Sequence, residues 1–123
     1  MKANEYQQLA MRTNDGECTT RLYDAVYENY GTMFDIGEVV NACLGLAGEV
    51  GEVNDIIKKW VYHGHDLNED ELAKELGDIL WYAAMMCHSL GWDMEEIMQM
   101  NIEKLKKRYP DGFSENASRN RKE

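Results

Sequence analysis

Apolar residues recur at helical spacing through the segment from Phe34 to Tyr62. A period of 3.6 residues sustained for about seven turns is typical of one long amphipathic α-helix. Similar patterns predict helices over 68–90 and 94–109, and shorter ones over 3–12 and 22–30. Since the chain has one proline in 123 residues, we predict an all-α fold resembling a four-helix bundle.

The chain shows no Gly/Ser-rich or Pro-rich linker, which indicates a single domain over residues 1–113 and a polar tail over 114–123. We expect the tail to be disordered, or ordered only against a partner. The run from Ile79 to Cys87 is apolar on every side of its helix and has to be covered all round. A domain this small cannot do that alone, so the run predicts a subunit interface in a homodimer or homotetramer.

The net charge of −10 argues against a general nucleic-acid binder, because phosphate contacts need clustered Lys and Arg. The longest apolar run has nine residues, too few to span a bilayer. The first ten residues lack the apolar core of a signal peptide, and the three cysteines form no CxxC motif. We therefore expect a cytoplasmic protein without nucleic-acid or membrane partners.

Two carboxylate pairs at matching helical spacing carry the strongest functional signal: Glu49 with Glu52, and Glu75 with Asp78. Residues three apart share a helix face, where like charges repel, so stability does not explain the pairs. Helices joined by a short loop are antiparallel neighbours, which lets the two pairs face each other. Four carboxylates together form an oxygen-rich site of the kind that Mg²⁺ or Mn²⁺ prefers. The alternative is a solvated acidic face, and no Glu-x-x-His motif supports a di-iron site.

Several cations are candidates for holding phosphate oxygens, namely Lys58, Lys59, Lys104 and Arg108. Lysines near a helix C-terminus are also explained by the helix dipole alone. Asn101 lies among apolar residues and, if buried, needs a partner in another side chain or in a substrate. Tyr82 follows Glu75 and Asp78 along one helix face and is the better candidate for stacking on a base. Trp81 points to another side, and we expect it to pack in the core.

Three segments together resemble the MazG-like nucleotide pyrophosphohydrolases of the all-α NTP pyrophosphatase superfamily: LGLAGEVGEVNDIIKK, ELAKELGDILWYAA and NIEKLKKRYPDGF. The resemblance covers Phe34 to Phe113. It implies Mg²⁺-dependent hydrolysis of nucleoside triphosphates between the α and β phosphates, giving the monophosphate and pyrophosphate. The rival interpretation is a non-catalytic helical module that binds a structural cation or an interaction partner.

The resemblance also implies roles for individual residues. The metal ligands would be Glu49, Glu52, Glu75 and Asp78. Lys104 and Arg108 match positions that bind phosphates in relatives. Some relatives carry a basic residue where this chain has Glu71, and Lys74 or Lys59 is the candidate substitute. Either Glu52 or Glu75 would activate the attacking water, and the sequence does not choose between them.

Overall fold

The computed structural model describes residues 1–121 of the chain. Its helices are α1 (Ala3–Ala10), extended by a 3-10 turn (Met11–Thr13), α2 (Cys18–Asn29), α3 (Ile36–His63), α4 (Glu69–Ser89), α5 (Met94–Arg108) and α6 (Glu115–Arg119). The described residues form no strand beyond an isolated bridge between Pro110 and Gly112. The prediction of an all-α fold is confirmed. None of the described helices is long and apolar enough to cross a membrane.

Side-chain caps define where the three long helices begin. In each case a side-chain oxygen accepts a hydrogen bond from a backbone N–H in the first turn, and the capping residues are Asp35, Asn68 and Asp93. Such a cap is worth about 1 kcal/mol because these N–H groups have no partner inside the helix. Gly64 ends α3 with a φ of 72°, in the left-handed region that glycine reaches without strain.

The helices α3 and α4 form an antiparallel pair joined by residues 64–68. Where α3 begins, the Ser89 hydroxyl lies 3.4 Å from a Glu38 carboxylate oxygen, and the Asp35 N–H donates to the Ser89 carbonyl over 3.1 Å. Ala42 and Cys87 are buried close to this end. The pairing sets the register along the whole interface, so that the middle of α3 faces the middle of α4.

The other helices cover little of this pair. A few residues of α2 pack against α3, and within residues 1–121 α5 makes no extensive contact with another helix. The chain exposes 10278 Å², whereas size scaling gives about 6,800 Å² for a compact monomer of this mass. A single chain therefore does not close the predicted four-helix bundle, and apolar side chains such as Leu80 and Trp81 remain largely exposed.

Two segments differ from the sequence-based expectation. The second helix begins at Cys18, four residues earlier than predicted, because the Asp15 carboxylate accepts from the Glu17 N–H and pairs with Arg21. The sequence predicts a tail that is disordered or ordered only against a partner, whereas the single chain forms a short helix there over Glu115–Arg119, capped by Ser114. Residues 122 and 123 lie outside the described part.

Candidate metal centre

Three carboxylates meet at the middle of the α3–α4 pair. Glu49 comes from α3 and Glu75 and Asp78 from α4, and one oxygen of each lies within 4.8 Å of the others. Glu49 and Glu75 are half-buried and Asp78 is exposed. The antiparallel register brings them together, since both acid pairs lie midway along their helices. Glu52, the fourth predicted ligand, is outside this group and lines the adjoining cavity together with Glu75.

Mutual repulsion and a shared hydrogen bond dominate the electrostatics of the cluster. A hydrogen bond with Glu49 raises the pKa of Glu75 above its usual value, and partial desolvation and the charges of Glu49 and Asp78 add to the shift. Glu75 therefore has an increased affinity for a proton when no cation is present. A cation placed between these carboxylates would replace that proton.

The donor set fits a hard divalent cation. All three groups offer carboxylate oxygen, the ligand type that Mg²⁺ and Mn²⁺ prefer. Oxygens about 2.1 Å from a common octahedral ion lie roughly 3–4 Å from one another. Since the three oxygens are already within 4.8 Å, only a small inward movement would let them share one ion.

A cavity of about 530 Å³ extends from Glu52 and Glu75 towards the loop between α3 and α4. Its lining includes the cationic side chains Lys59 and Lys74. The Lys59 ammonium is held by Asp55, with an Nζ to Oδ2 distance of 2.7 Å, and this hydrogen bond raises the pKa of Lys59. Of the predicted phosphate-binding residues, Lys59 thus lies beside the carboxylates. The sequence reasoning missed Asp55, although its i, i+4 spacing to Lys59 was a usable signal.

A second cavity, of about 380 Å³, borders the other side of the cluster and is lined by Glu49, Asp78, Trp81 and Tyr82. The rings of Trp81 and Tyr82 meet edge to face, with centroids 5.0 Å apart and an interplanar angle of 86°. Tyr82 is therefore next to the carboxylates, as its position in the sequence suggested. The expectation that Trp81 packs in the core is wrong for the single chain, because Trp81 is 59% exposed.

The predicted site residues of α5 are not brought to the carboxylates within one chain. Asn101 and Lys104 are exposed, and Arg108 is half-buried at the end of the helix. Neither cavity beside the cluster includes a residue of α5. Their approach to the acidic cluster would need a contact that the single described chain does not make.

Comparison with known proteins agrees with this arrangement. Residues 40–113, more than half of the chain, match the MazG nucleotide pyrophosphohydrolase domain, which confirms the resemblance seen in the motifs. The chain is also similar to the Gene 37 protein of Mycobacterium phage L5, with 31% identity over 101 residues, or 79% of this chain and 89% of the phage protein. No solved structure matches the chain. The family is typically dependent on a divalent metal ion, and the matched range includes every carboxylate of the cluster. The chain belongs to the MazG nucleotide pyrophosphohydrolase domain family.

Proposed function

We propose that the protein hydrolyses nucleoside triphosphates, as NTP or dNTP, to the monophosphate and pyrophosphate in a reaction that requires Mg²⁺ or Mn²⁺. Family membership supports nucleotide pyrophosphohydrolase chemistry in general. The observation that supports metal-dependent hydrolysis of a triphosphate is the group of three carboxylate oxygens within 4.8 Å of one another. Without a cation the negative charges of such a group repel one another. A triphosphate is a substrate whose own negative charge also needs a cation to neutralise it.

The carboxylates divide into ligands and a base. Glu49, Glu75 and Asp78 would hold the ion. A bound Mg²⁺ would neutralise phosphate charge and make the α-phosphorus more electrophilic. Glu52 lies outside the group of three but shares a cavity with Glu75, so we favour Glu52 over Glu75 as the group that accepts the proton of the attacking water. The water oxygen bonds to the α-phosphorus, the bond to the bridging oxygen breaks, and pyrophosphate leaves.

The two cavities suggest an orientation for the nucleotide. The aromatic cavity beside Tyr82 suits the base or sugar, because a ring face offers stacking that every base can use. The opposite cavity offers Lys59 and Lys74 to the phosphates. A nucleotide bound across both cavities would then have its α-phosphate beside the three carboxylates.

A homo-oligomer completes this proposal. The exposed area exceeds that of a compact monomer by about 3,500 Å², several times the roughly 800 Å² that each partner contributes to a standard interface. A homodimer or homotetramer would cover the apolar sides of α4. It would also allow Asn101, Lys104 and Arg108 on α5 of one copy to reach the nucleotide at the carboxylates of another.

Product analysis tests the reaction. Purified protein is incubated with a panel of NTPs and dNTPs in Mg²⁺ and in EDTA, and the products are separated by ion-exchange chromatography. We expect monophosphate and pyrophosphate in Mg²⁺ and no turnover in EDTA. Release of a diphosphate and orthophosphate would contradict the proposed cleavage position, even if metal binding were real.

The second candidate function is a non-catalytic helical module that binds a metal or an interaction partner. The exposure of Asp78 favours this second candidate, because exposed acidic groups are common in proteins without a catalytic role. Binding of Mn²⁺ without turnover of any nucleotide in the panel would favour this candidate over the enzyme.

A further inference from the structure

Gly45 of α3 lies directly against the side chain of Tyr82 of α4. A Cβ atom added at Gly45 would overlap the Cδ1, Cε1 and Cζ atoms of the ring. Two other glycines of the same helix behave differently, since a Cβ at Gly48 or Gly51 would meet nothing within 4 Å. The absence of a side chain is therefore a steric requirement at Gly45 alone among these three.

This contact lies next to the carboxylate cluster. Gly45 precedes Glu49 by one helical turn, and Tyr82 follows Asp78 by one turn. The contact therefore lies one turn away from the carboxylate cluster along the interface between α3 and α4, which we call the seam. The Tyr82 ring also forms a wall of the cavity that Glu49 and Asp78 border. If the ring moved away from α3, the open volume available to it would be this cavity.

We propose that Gly45 is a positioning residue, whose bare backbone seats the Tyr82 ring in the seam and keeps it out of the cavity beside Glu49 and Asp78. A larger residue at position 45 pushes the ring into that cavity and narrows it. The seating of the ring follows from the packing alone, whereas its effect on nucleotide binding rests on the proposed function. Gly45 thereby controls the space available to the nucleoside part of the substrate.

A double-mutant cycle tests this proposal, with Gly45→Ala, Tyr82→Ala and the double variant, and with Gly48→Ala as the matched control. Two readouts are used: the KM and kcat for the best dNTP of the panel, and the near-UV circular dichroism spectrum of the protein, to which the Trp81–Tyr82 pair contributes. We expect Gly45→Ala to raise KM about tenfold, the scale of an overpacked contact, with a smaller change in kcat and an altered near-UV spectrum. Gly48→Ala should keep the wild-type values.

The cycle separates the ring from other effects of the substitution. In the Tyr82→Ala background, Gly45→Ala should change neither KM nor the near-UV spectrum. An equal rise in KM in that background, or a Gly45→Ala variant with wild-type KM and spectrum, would overturn the proposal.

Two further outcomes are decisive. If Gly45→Ala alone fails to fold, the double variant should fold, and its failure would overturn the proposal. If the wild-type protein turns over no nucleotide, the proposed function fails, while the near-UV spectra of the four variants still decide whether Gly45 seats Tyr82.

Discussion

One carboxylate oxygen of Glu49 on α3 lies within 4.8 Å of one of Glu75 on α4. Hydrogen bonding with Glu49 raises the pKa of Glu75, and the negative charges of Glu49 and Asp78 add to the shift. The proximity of the two groups therefore couples the proton affinity of Glu75 to the packing of the two helices. A proton and a divalent cation would compete for the same position.

The first prediction concerns the pH dependence of stability without metal. Because the pKa of Glu75 is raised in the folded state above its usual value of 4.5, the folded protein binds this proton more tightly than the unfolded chain does. Its stabilising effect is fully present below about pH 4.5 and is lost as the pH rises through the folded-state pKa. We therefore compare the melting temperatures of wild type and Glu75→Gln in EDTA by calorimetry. As the pH rises from about 4.5 through the folded-state pKa of Glu75, the melting temperature of wild type should fall relative to that of the variant. A pH-independent difference between the two proteins would contradict the shift.

The second prediction concerns metal affinity. Glu49→Gln and Glu75→Gln each remove a negative ligand, and we expect each to weaken Mn²⁺ binding by about 100-fold or more, since even substitutions one shell further out cost 10–100-fold. Titration calorimetry on the wild type and the variants measures this. Glu28→Gln, an exposed carboxylate on α2, is the control with the same change in net charge. Equal losses of Mn²⁺ affinity in all three variants would show that the effect comes from net charge alone and would contradict the proposed metal site.

The third prediction compares two neighbouring lysines. Lys59 lines the cavity beside Glu52 and Glu75, whereas Lys58 does not, although both pair with Asp55. We expect Lys59→Met to raise the KM for a triphosphate about tenfold, the scale of one charge-assisted hydrogen bond. Lys58→Met should leave KM close to wild type. Steady-state kinetics at fixed ionic strength measures both, and similar KM values for the two variants would remove Lys59 from the phosphate contacts.

The fourth prediction concerns assembly. We expect light scattering at micromolar concentration to give the mass of a dimer or a tetramer. Leu80 is 57% exposed on α4, so Leu80→Glu should place a charge in the interface and shift the population towards monomer. Gln8→Glu adds the same charge at an exposed position of α1 and serves as the control. A monomeric wild type would refute the proposed assembly, and an intact Leu80→Glu oligomer would locate the interface elsewhere.

Much of the fold could be predicted from local signals. The periodicity and the Asn68 cap predicted α4 closely, because helix starts depend on neighbouring residues. The exact grouping of carboxylates was not predictable in the same way. Whether Glu52 joins Glu49 or faces the next cavity depends on the register and separation of two helices, and spacing within each helix does not specify these.

The environment of Trp81 and the position of α5 could not be predicted for a different reason. An apolar run shows that a helix has to be covered, but it does not show which surface covers it. The same limitation applies to Lys104, since its place on α5 does not show whether it approaches the carboxylates of its own chain or those of another copy. Motif similarity identified the family because each motif is a run of consecutive residues. The site itself depends on contacts between helices, which such runs do not specify.

The three clustered carboxylates all belong to one helical hairpin, with residues 64–68 as its only connection. Contacts between segments so close in sequence form quickly during folding, before pairings that need distant parts of the chain. We therefore expect the three carboxylates to come together early in folding, before a second copy of the chain could cover the apolar sides of α4. A divalent ion that bound at this stage would relieve the repulsion between the two helices and favour the closed hairpin, so the metal would influence how fast the chain folds as well as what the folded protein does.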